Sequence, residues 1–443
     1  MISTISTIGR QRRNTELGLI ILAVAVTAGA YVLASLGRTA SLPADIVPFL
    51  VVIFALLIFA HVAVRRLAPN ADGTLLPIAG LLNGLGYVFI ARLDEDLAGL
   101  QATWTAVGIA AFVGTLFVVR RVKDLERYRY TFMVIGMALL LVPLVPFFGR
   151  EINGARIWAS IGPVNFQPGE FAKIALAIFF ASYLIEKREL LGMATFGLGP
   201  LKLPDPKHLG PIFLAWGFSL MVMFFEKDLG SALLFFAVFV VMLWIATQRA
   251  SYLVFGALLF SAGAWFAWTS FGHVQQRVEI WLDPRVDPKG DGFQILESLY
   301  ALASGGVTGT GPGLGNPDRI PVAETDFIFS VIGEELGLLG GTLVIVAFVL
   351  MVGAGLRIAV NAESDFDTLL AVGLTTLIGV QSFIIIAGVI QLLPLTGVTL
   401  PFVSYGGSSL VANYILLALL MRISDDNVTR QVARPARVAG ATA

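Results

Sequence analysis

Between Asp228 and Arg249 the chain reads Leu229-Gly-Ser-Ala-Leu-Leu-Phe-Phe-Ala-Val-Phe-Val-Val-Met-Leu-Trp-Ile-Ala-Thr-Gln248, without a single charge. A helix crossing a hydrocarbon core of about 30 Å needs roughly 20 mostly apolar residues. Working outward, stretches of the same kind lie near 16–36, 46–66, 74–91, 101–120, 129–148 and 169–186. Others follow near 209–226, 228–248, 251–271, 327–353, 367–390 and 402–421. The expected fold is an all-α polytopic membrane protein with about twelve transmembrane helices.

Composition narrows the class further. Only 14% of the 443 residues are charged and 57% are hydrophobic, whereas soluble domains carry about 25% charged residues. So little charge cannot cover a water-facing surface of this size, which excludes a soluble enzyme. Thirty basic and thirty acidic residues cancel, without the basic excess that a nucleic-acid partner demands. A membrane β-barrel would show alternating strands of about ten residues, and these stretches are longer and continuous. Cysteine is absent, which removes disulfides, thiolate catalysis and cysteine-held metals. His61, His208 and His273 are far apart and suggest no metal site.

Orientation follows from the basic residues, which collect in cytoplasmic loops. The first span follows Arg10, Arg12 and Arg13 without a small-residue cleavage site, and reads as a retained anchor. With the N-terminus inside and the sides alternating, 20 of the 30 basic residues fall on the inner side. Both termini are therefore expected in the cytoplasm. The largest outer segment, 272–326, contains Phe293, Ile295, Leu296, Leu299, Tyr300 and Leu302, a pattern for a short amphipathic interfacial helix. No internal repeat of the kind common in secondary transporters is evident. Three parts result: an extension with two spans (1–73), a core (74–422) and a flexible cytoplasmic tail (423–443).

The ten outer basic residues concentrate in loops 149–173 and 272–326, which also hold glycine, proline and acids. The corner Glu226-Lys227-Asp228 and the segment Thr399–Ser409 face the same side. Together they predict one extracytoplasmic polar site above an apolar body. Asp326, Ser330, Glu334 and Gly337 are spaced to share one helix face. Asp326 reads equally as a reactive carboxylate or a helix N-cap. Glu334 and Glu335 read first as buried partners of another helix, and otherwise as functional groups inside the membrane. Glu170 and Lys173, three apart, form a natural internal ion pair. Trp158 fits an interfacial belt, and Arg156 either binds an anion or is solvated. The run Gly305–Gly315 lacks the Gly-Lys-Ser/Thr of a phosphate loop and has no preceding strand, so it reads as tight turns.

These same segments resemble the SEDS family (RodA, FtsW and SpoVE) of membrane glycosyltransferases. Asn153-Gly-Ala-Arg-Ile-Trp158, Gln167-Pro-Gly-Glu-Phe-Ala-Lys173 and Lys227-Asp-Leu-Gly-Ser-Ala232 look like three of its motifs. Thr325-Asp-Phe-Ile-Phe-Ser-Val-Ile-Gly-Glu-Glu-Leu-Gly337, Pro394–Pro401 and Ser404-Tyr-Gly-Gly-Ser-Ser409 complete the set. Departures are Glu324 where His is frequent, Gly169 for Ser, Ile157 for a second Arg, and Lys227 for Pro. The family usually has ten spans, so residues 1–73 add two, and the layout looks more like RodA than FtsW.

The resemblance implies a bacterial plasma-membrane enzyme that polymerises lipid II, a disaccharide-pentapeptide on undecaprenyl pyrophosphate, during wall elongation. Asp326 matches the family's catalytic Asp, the implied general base. Arg156 and Lys173, then Arg319 and Arg277, are the implied cations for the leaving pyrophosphate, which gains charge in the transition state. Glu170 and Asp228 would hold those cations or, with Asp326, help bind a divalent ion such as Mg or Mn. Trp158, Ser404, Tyr405 and Ser408 complete the implied substrate-binding set. The implied protein partner is a class B penicillin-binding protein, a transpeptidase, with membrane lipid around the body. Alternatives are a lipid II flippase, a division-type polymerase like FtsW, and a scaffold that activates the transpeptidase.

Overall fold

The structure, a computed structural model, describes residues 2–41, 46–152, 155–162, 164–192, 196–198, 201–203, 214, 217–218, 220–221 and 224–441. Helices α1 (Ile2–Thr39) and α2 (Ile46–Leu67) precede α3 (Leu75–Leu93), α4 (Glu95–Val118) and α5 (Arg129–Leu141). An antiparallel sheet, β1 (Gly149–Ile152), β2 (Ala155–Ile161) and β3 (Val164–Phe166), leads into α6 (Pro168–Glu186). Then come α7 (Leu229–Thr247), α8 (Ser251–Ser270), α9 (Gly272–Leu282) and α10 (Phe293–Gly305). The chain closes with α11 (Ile328–Val360), α12 (Asp365–Val389) and α13 (Gly407–Ala441).

Among the described residues, ten helices are long and apolar enough to cross a membrane. Two of the twelve expected spans are not among them. The stretch expected at 129–148 forms only a shorter apolar helix, Arg129–Leu144, ending where Pro143 and Pro146 interrupt the backbone pattern. The stretch at 209–226 lies mostly outside the described residues. The three strands in loop 149–166 are an addition to the all-helical expectation.

The bundle core joins α4, α6, α7, α11, α12 and α13, with Phe112, Phe179, Phe180, Phe366 and Tyr414 fully buried. Asn83 of α3 is buried too, and its amide donates to Tyr414 Oη and Thr105 Oγ1, both at 3.1 Å. Helix α8 is the opposite case. Only Tyr252 and Gly256 are buried, so nearly its whole apolar surface is left for lipid. The N-terminal pair is joined internally by Glu16, which meets His61 Nδ1 at 2.8 Å and pairs with Arg65.

The linkers sort into two ends, as alternation of spans requires. At one end Arg357 meets Asp72 at 2.8 Å, Arg188 meets Asp365 at 2.9 Å, and Arg129 pairs with Glu186. This is also where the expected flexible tail is corrected. Helix α13 runs on through Ala441, and Arg422, Ser424, Asp425, Asp426 and Asn427 are buried. The reason is hydrogen bonding to orphaned linker backbone. Asp425 accepts the Asn70 N–H at 2.8 Å, Asp426 accepts the Val122 N–H at 3.0 Å, and Arg422 donates to the Leu67 and Leu116 carbonyls.

Candidate active site

At the opposite end, each sequence motif is fastened to another. The Arg156 N–H of β2 donates to the Glu226 carbonyl at 3.1 Å. Glu226 itself is buried, Lys227 is exposed with a left-handed φ of 62°, and Asp228 opens α7. The Asp228 side chain caps that helix by accepting the Ser231 N–H at 2.9 Å, one of the donors a helix start leaves unpaired. Burial raises the Asp228 carboxyl above the usual carboxylate range, against the Ser231 bonds and the nearby Lys173 charge.

Glu170 and Lys173 are both buried on α6. Lys173 Nζ donates to Glu170 Oε1 at 2.8 Å and to Gln381 Oε1 of α12 at 3.1 Å. Gln381 passes the connection on, donating through Nε2 to the Thr399 carbonyl at 2.8 Å. The ion-pair reading of these two residues is therefore the one realised. Lys173 and Glu170 are thus held against each other, the arrangement in which Glu170 fixes the position of the cation.

Asp326 lies two residues before α11, whose N-cap is Phe327 without a side-chain cap. The N-cap alternative for Asp326 is thus not what forms. The backbone just before it is held by the segment 400–405. Ser404 Oγ donates to the Thr325 carbonyl at 2.5 Å and accepts the Leu400 N–H at 2.9 Å, while the Tyr405 N–H donates to the Glu324 carbonyl at 2.8 Å. Opposite, a Cβ on Gly397 would stand 3.7 Å from Asp326 Oδ2. Burial pushes the Asp326 carboxyl up to about 6, against a hydrogen bond from Thr325 and the charge of Arg277 on α9.

The remaining candidates divide into joints and exposed groups. Ser404 and Ser408 are buried joints, Ser408 accepting the Gln167 N–H at 2.9 Å. Tyr405 and Trp158 are half-buried, and Trp158 faces Arg150 across β1 and β2. Arg156 and Arg319 are exposed, and no ion pair joins either to the site among the described residues. Sequence reasoning passed over Lys227 as a cation. The imidazole of His273 is depressed by burial, then by the charges of Arg277 and Lys227, which brings both cations to the same edge as Asp326. The signal available was the lysine at a motif position where proline was expected.

The suggested divalent ion does not fit these residues. Asp228 Oδ1 caps a helix and Glu170 Oε1 holds an ammonium group. Among the described residues, no three His, Asp or Glu side chains are grouped to hold a metal.

Glu334 and Glu335 have a different task. Helix α11 is broken at Gly337 (φ 67°, ψ −167°), a backbone state open to glycine. The freed carbonyls of Glu334 and Glu335 accept the Thr310 and Gly311 N–H groups at 2.9 and 3.1 Å, and Leu338 donates to Gly306 at 3.0 Å. Their carboxylates take the Asn316 and Gly313 N–H groups at 3.1 and 2.7 Å, and Arg92 lies 3.4 Å from Glu335. Both thus anchor the glycine-rich turn, as buried partners. The turn in turn touches α1: a Cβ on Gly313 would overlap the Ala34 carbonyl.

Fold and site together define a polytopic helical membrane protein with a desolvated carboxylate held at one end among exposed cations. Residues 87–429 match the model of the FtsW/RodA/SpoVE family, described as cell cycle proteins, and the chain belongs to that family. It is 44% identical over 424 residues to the peptidoglycan glycosyltransferase RodA of Mycobacterium tuberculosis, covering 93% of this chain and 90% of that one. It is 36% identical over 294 residues to the stage V sporulation protein E of Bacillus subtilis, covering 66% and 77%. Among solved structures it resembles a chain described for structural coordination of polymerization and crosslinking by a peptidoglycan synthase complex. That match has a TM-score of 0.67 at 26% identity and covers 81% of this chain and 98% of the other. The crystal structure of the rod shape determining protein RodA of Thermus thermophilus gives a TM-score of 0.57 at 25% identity, covering 81% and 97%.

Proposed function

We propose that this protein is an inverting peptidoglycan glycosyltransferase. It polymerises lipid II into β-1,4-linked glycan on the outer face of the bacterial plasma membrane during wall elongation. The observation that carries this reading is Asp326: half-buried, raised to about 6, and held through the backbone just before it by the Ser404 and Tyr405 contacts beside Gly397. At neutral pH such a carboxylate is ionised yet basic enough to accept a proton, as a general base requires.

The bond changes follow. The 4-hydroxyl of one GlcNAc attacks the anomeric carbon of a MurNAc, and its proton passes to Asp326. The bond from that carbon to the pyrophosphate oxygen breaks with inversion, and undecaprenyl pyrophosphate leaves with the electron pair. Fixed cations stabilise that growing charge, a task suited to exposed Arg277, Lys227 and Arg156. Lys173 acts from below, holding Glu170 and the 399 backbone in place through Gln381. The basic-residue bias supports an orientation with this end outside the cell.

The similarity to a chain of a peptidoglycan synthase complex supports a class B penicillin-binding protein as partner. A flippase reading drew on Glu334 and Glu335, and both are engaged by the glycine-rich turn. The test is glycan synthesis from labelled lipid II by the purified protein, with and without its partner. The reading expects polymer from the wild type and loss of it in Asp326→Ala. Normal polymerisation by that variant overturns it, and so does lipid II translocation in vesicles without any polymer.

A further inference from the structure

One carboxyl group at the outer end has no part in the scheme above. Glu226 is 3% exposed, and its Oε1 has no hydrogen-bond partner among the described residues. A buried polar atom left unpaired costs roughly 1–3 kcal/mol, so its persistence calls for an explanation. The residue is not loosely placed. Its carbonyl receives the Arg156 N–H of β2, Lys227 turns the chain through a left-handed conformation, and Asp228 caps α7. Glu226 therefore sits at the seam between β2 and the start of α7, next to Lys227, whose charge meets His273 together with Arg277, the cation that acts on Asp326.

Its charge state follows from its neighbours. Asp228 on the same corner is acidic, and its charge opposes a second anion. Lys173 and Glu170 of α6 act on Asp228, Arg156 of β2 contributes its backbone N–H, and Lys227 shares its edge with His273 and Arg277 of α9. No salt bridge to Glu226 occurs among the described residues. Burial, reinforced by Asp228, raises the carboxyl to about 9. At neutral pH the group is a carboxylic acid, which can donate as well as accept.

We propose that Glu226 is a substrate-binding residue that donates its carboxylic O–H to a phosphate oxygen of the lipid-linked donor sugar. A neutral donor complements the exposed cations: it adds a directed hydrogen bond without adding charge to a crowded corner. Donation to an anion is the stronger class of hydrogen bond, and it completes the group that is otherwise unpaired. The inference rests on the glycosyltransferase reading.

The test uses the full-length protein in detergent with its partner and labelled lipid II. Glu226→Gln keeps shape and a donor, and is expected to stay within about threefold of wild type at pH 7.5. Glu226→Ala is expected to raise KM for lipid II at least about tenfold, equal to about 1.4 kcal/mol, with its melting temperature unchanged. Wild-type kcat/KM is expected to fall above about pH 9 as the acid ionises, and Glu226→Gln is expected to lack that decline. An unchanged KM in a folded Glu226→Ala overturns the proposal. If that variant does not fold, the same alkaline decline in Glu226→Gln overturns it instead. Loss of polymerisation in the wild type itself would count against the glycosyltransferase reading, not against Glu226 alone.

Discussion

Replacing Asp326 by asparagine should make the protein more stable and far less active, and the two effects have one source. Burial raises this carboxyl from 3.8 to about 6. The ionised form is therefore disfavoured in the fold by about 2 units, or about 3 kcal/mol at 1.36 kcal/mol per unit. Because the folded value lies above the unfolded one, the stabilising effect of the protonated form is complete below 3.8. It is lost as pH rises through about 6. Asparagine, always neutral, escapes that loss. The stability gap between variant and wild type should thus be about 3 kcal/mol at pH 8 and roughly half that at pH 5. For a chain of 443 residues, an unfolding entropy of about 2.1 cal/mol/K per residue turns 3 kcal/mol into about 3 °C. The seven tryptophans give the fluorescence signal for the melt, and lipid II polymerisation is measured on the same samples. Loss of a general base should lower turnover about 10²–10⁴-fold. A melting gap that does not change with pH would refute the account of Asp326 as a strained, desolvated carboxylate. Polymerisation at the wild-type rate would refute its role as base.

Three further changes probe the scaffold. Lys173→Met strands Glu170 as an unpaired buried charge and should cost about 3–5 kcal/mol. Adding Glu170→Gln should restore the melting temperature, and polymerisation by the double variant reports whether the ammonium matters beyond folding. Gly313→Val forces a branched side chain into a φ of 77° and into the Ala34 carbonyl, so the melting temperature and turnover should both fall. Truncation after Met421 should sharply lower the yield of folded protein, because Arg422, Asp425 and Asp426 hold two linkers, 67–74 and 119–128; truncation after Gln431 should be tolerated.

Much of this architecture is legible in sequence because lipid imposes a simple rule on length and polarity. Uninterrupted runs such as Leu229–Thr247 announce themselves. The strands at 149–166 do not, because they are short and their register is set by pairing, not by an apolar face. The break at Gly337 was invisible for a related reason: spacing alone continues a helix through glycine, and the partners that accept the broken backbone lie at 306–311. At the site, motif residues marked the right loops but not which atoms are free. Ser404 and Lys173 looked like substrate contacts, yet their polar atoms are used internally. Glu226, Lys227 and Arg277 gain significance only from their neighbours in space. The tail misled because a polar composition suits either water or a set of waiting backbone groups.

The break at Gly337 also bears on how the enzyme meets membranes of different thickness. After it, Leu338–Val360 gives 23 residues, about 35 Å of helix at 1.5 Å per residue, enough to cross the hydrocarbon unaided. A thinner bilayer tilts such a span. The segment that carries Asp326 stands on the other side of the glycine, pinned to the turn at 306–316. Leu338, beyond the glycine, is bonded to Gly306 of that same turn. A tilted span therefore pulls on the turn that anchors the Asp326 segment, and turnover measured across lipids of increasing acyl length should change with bilayer thickness.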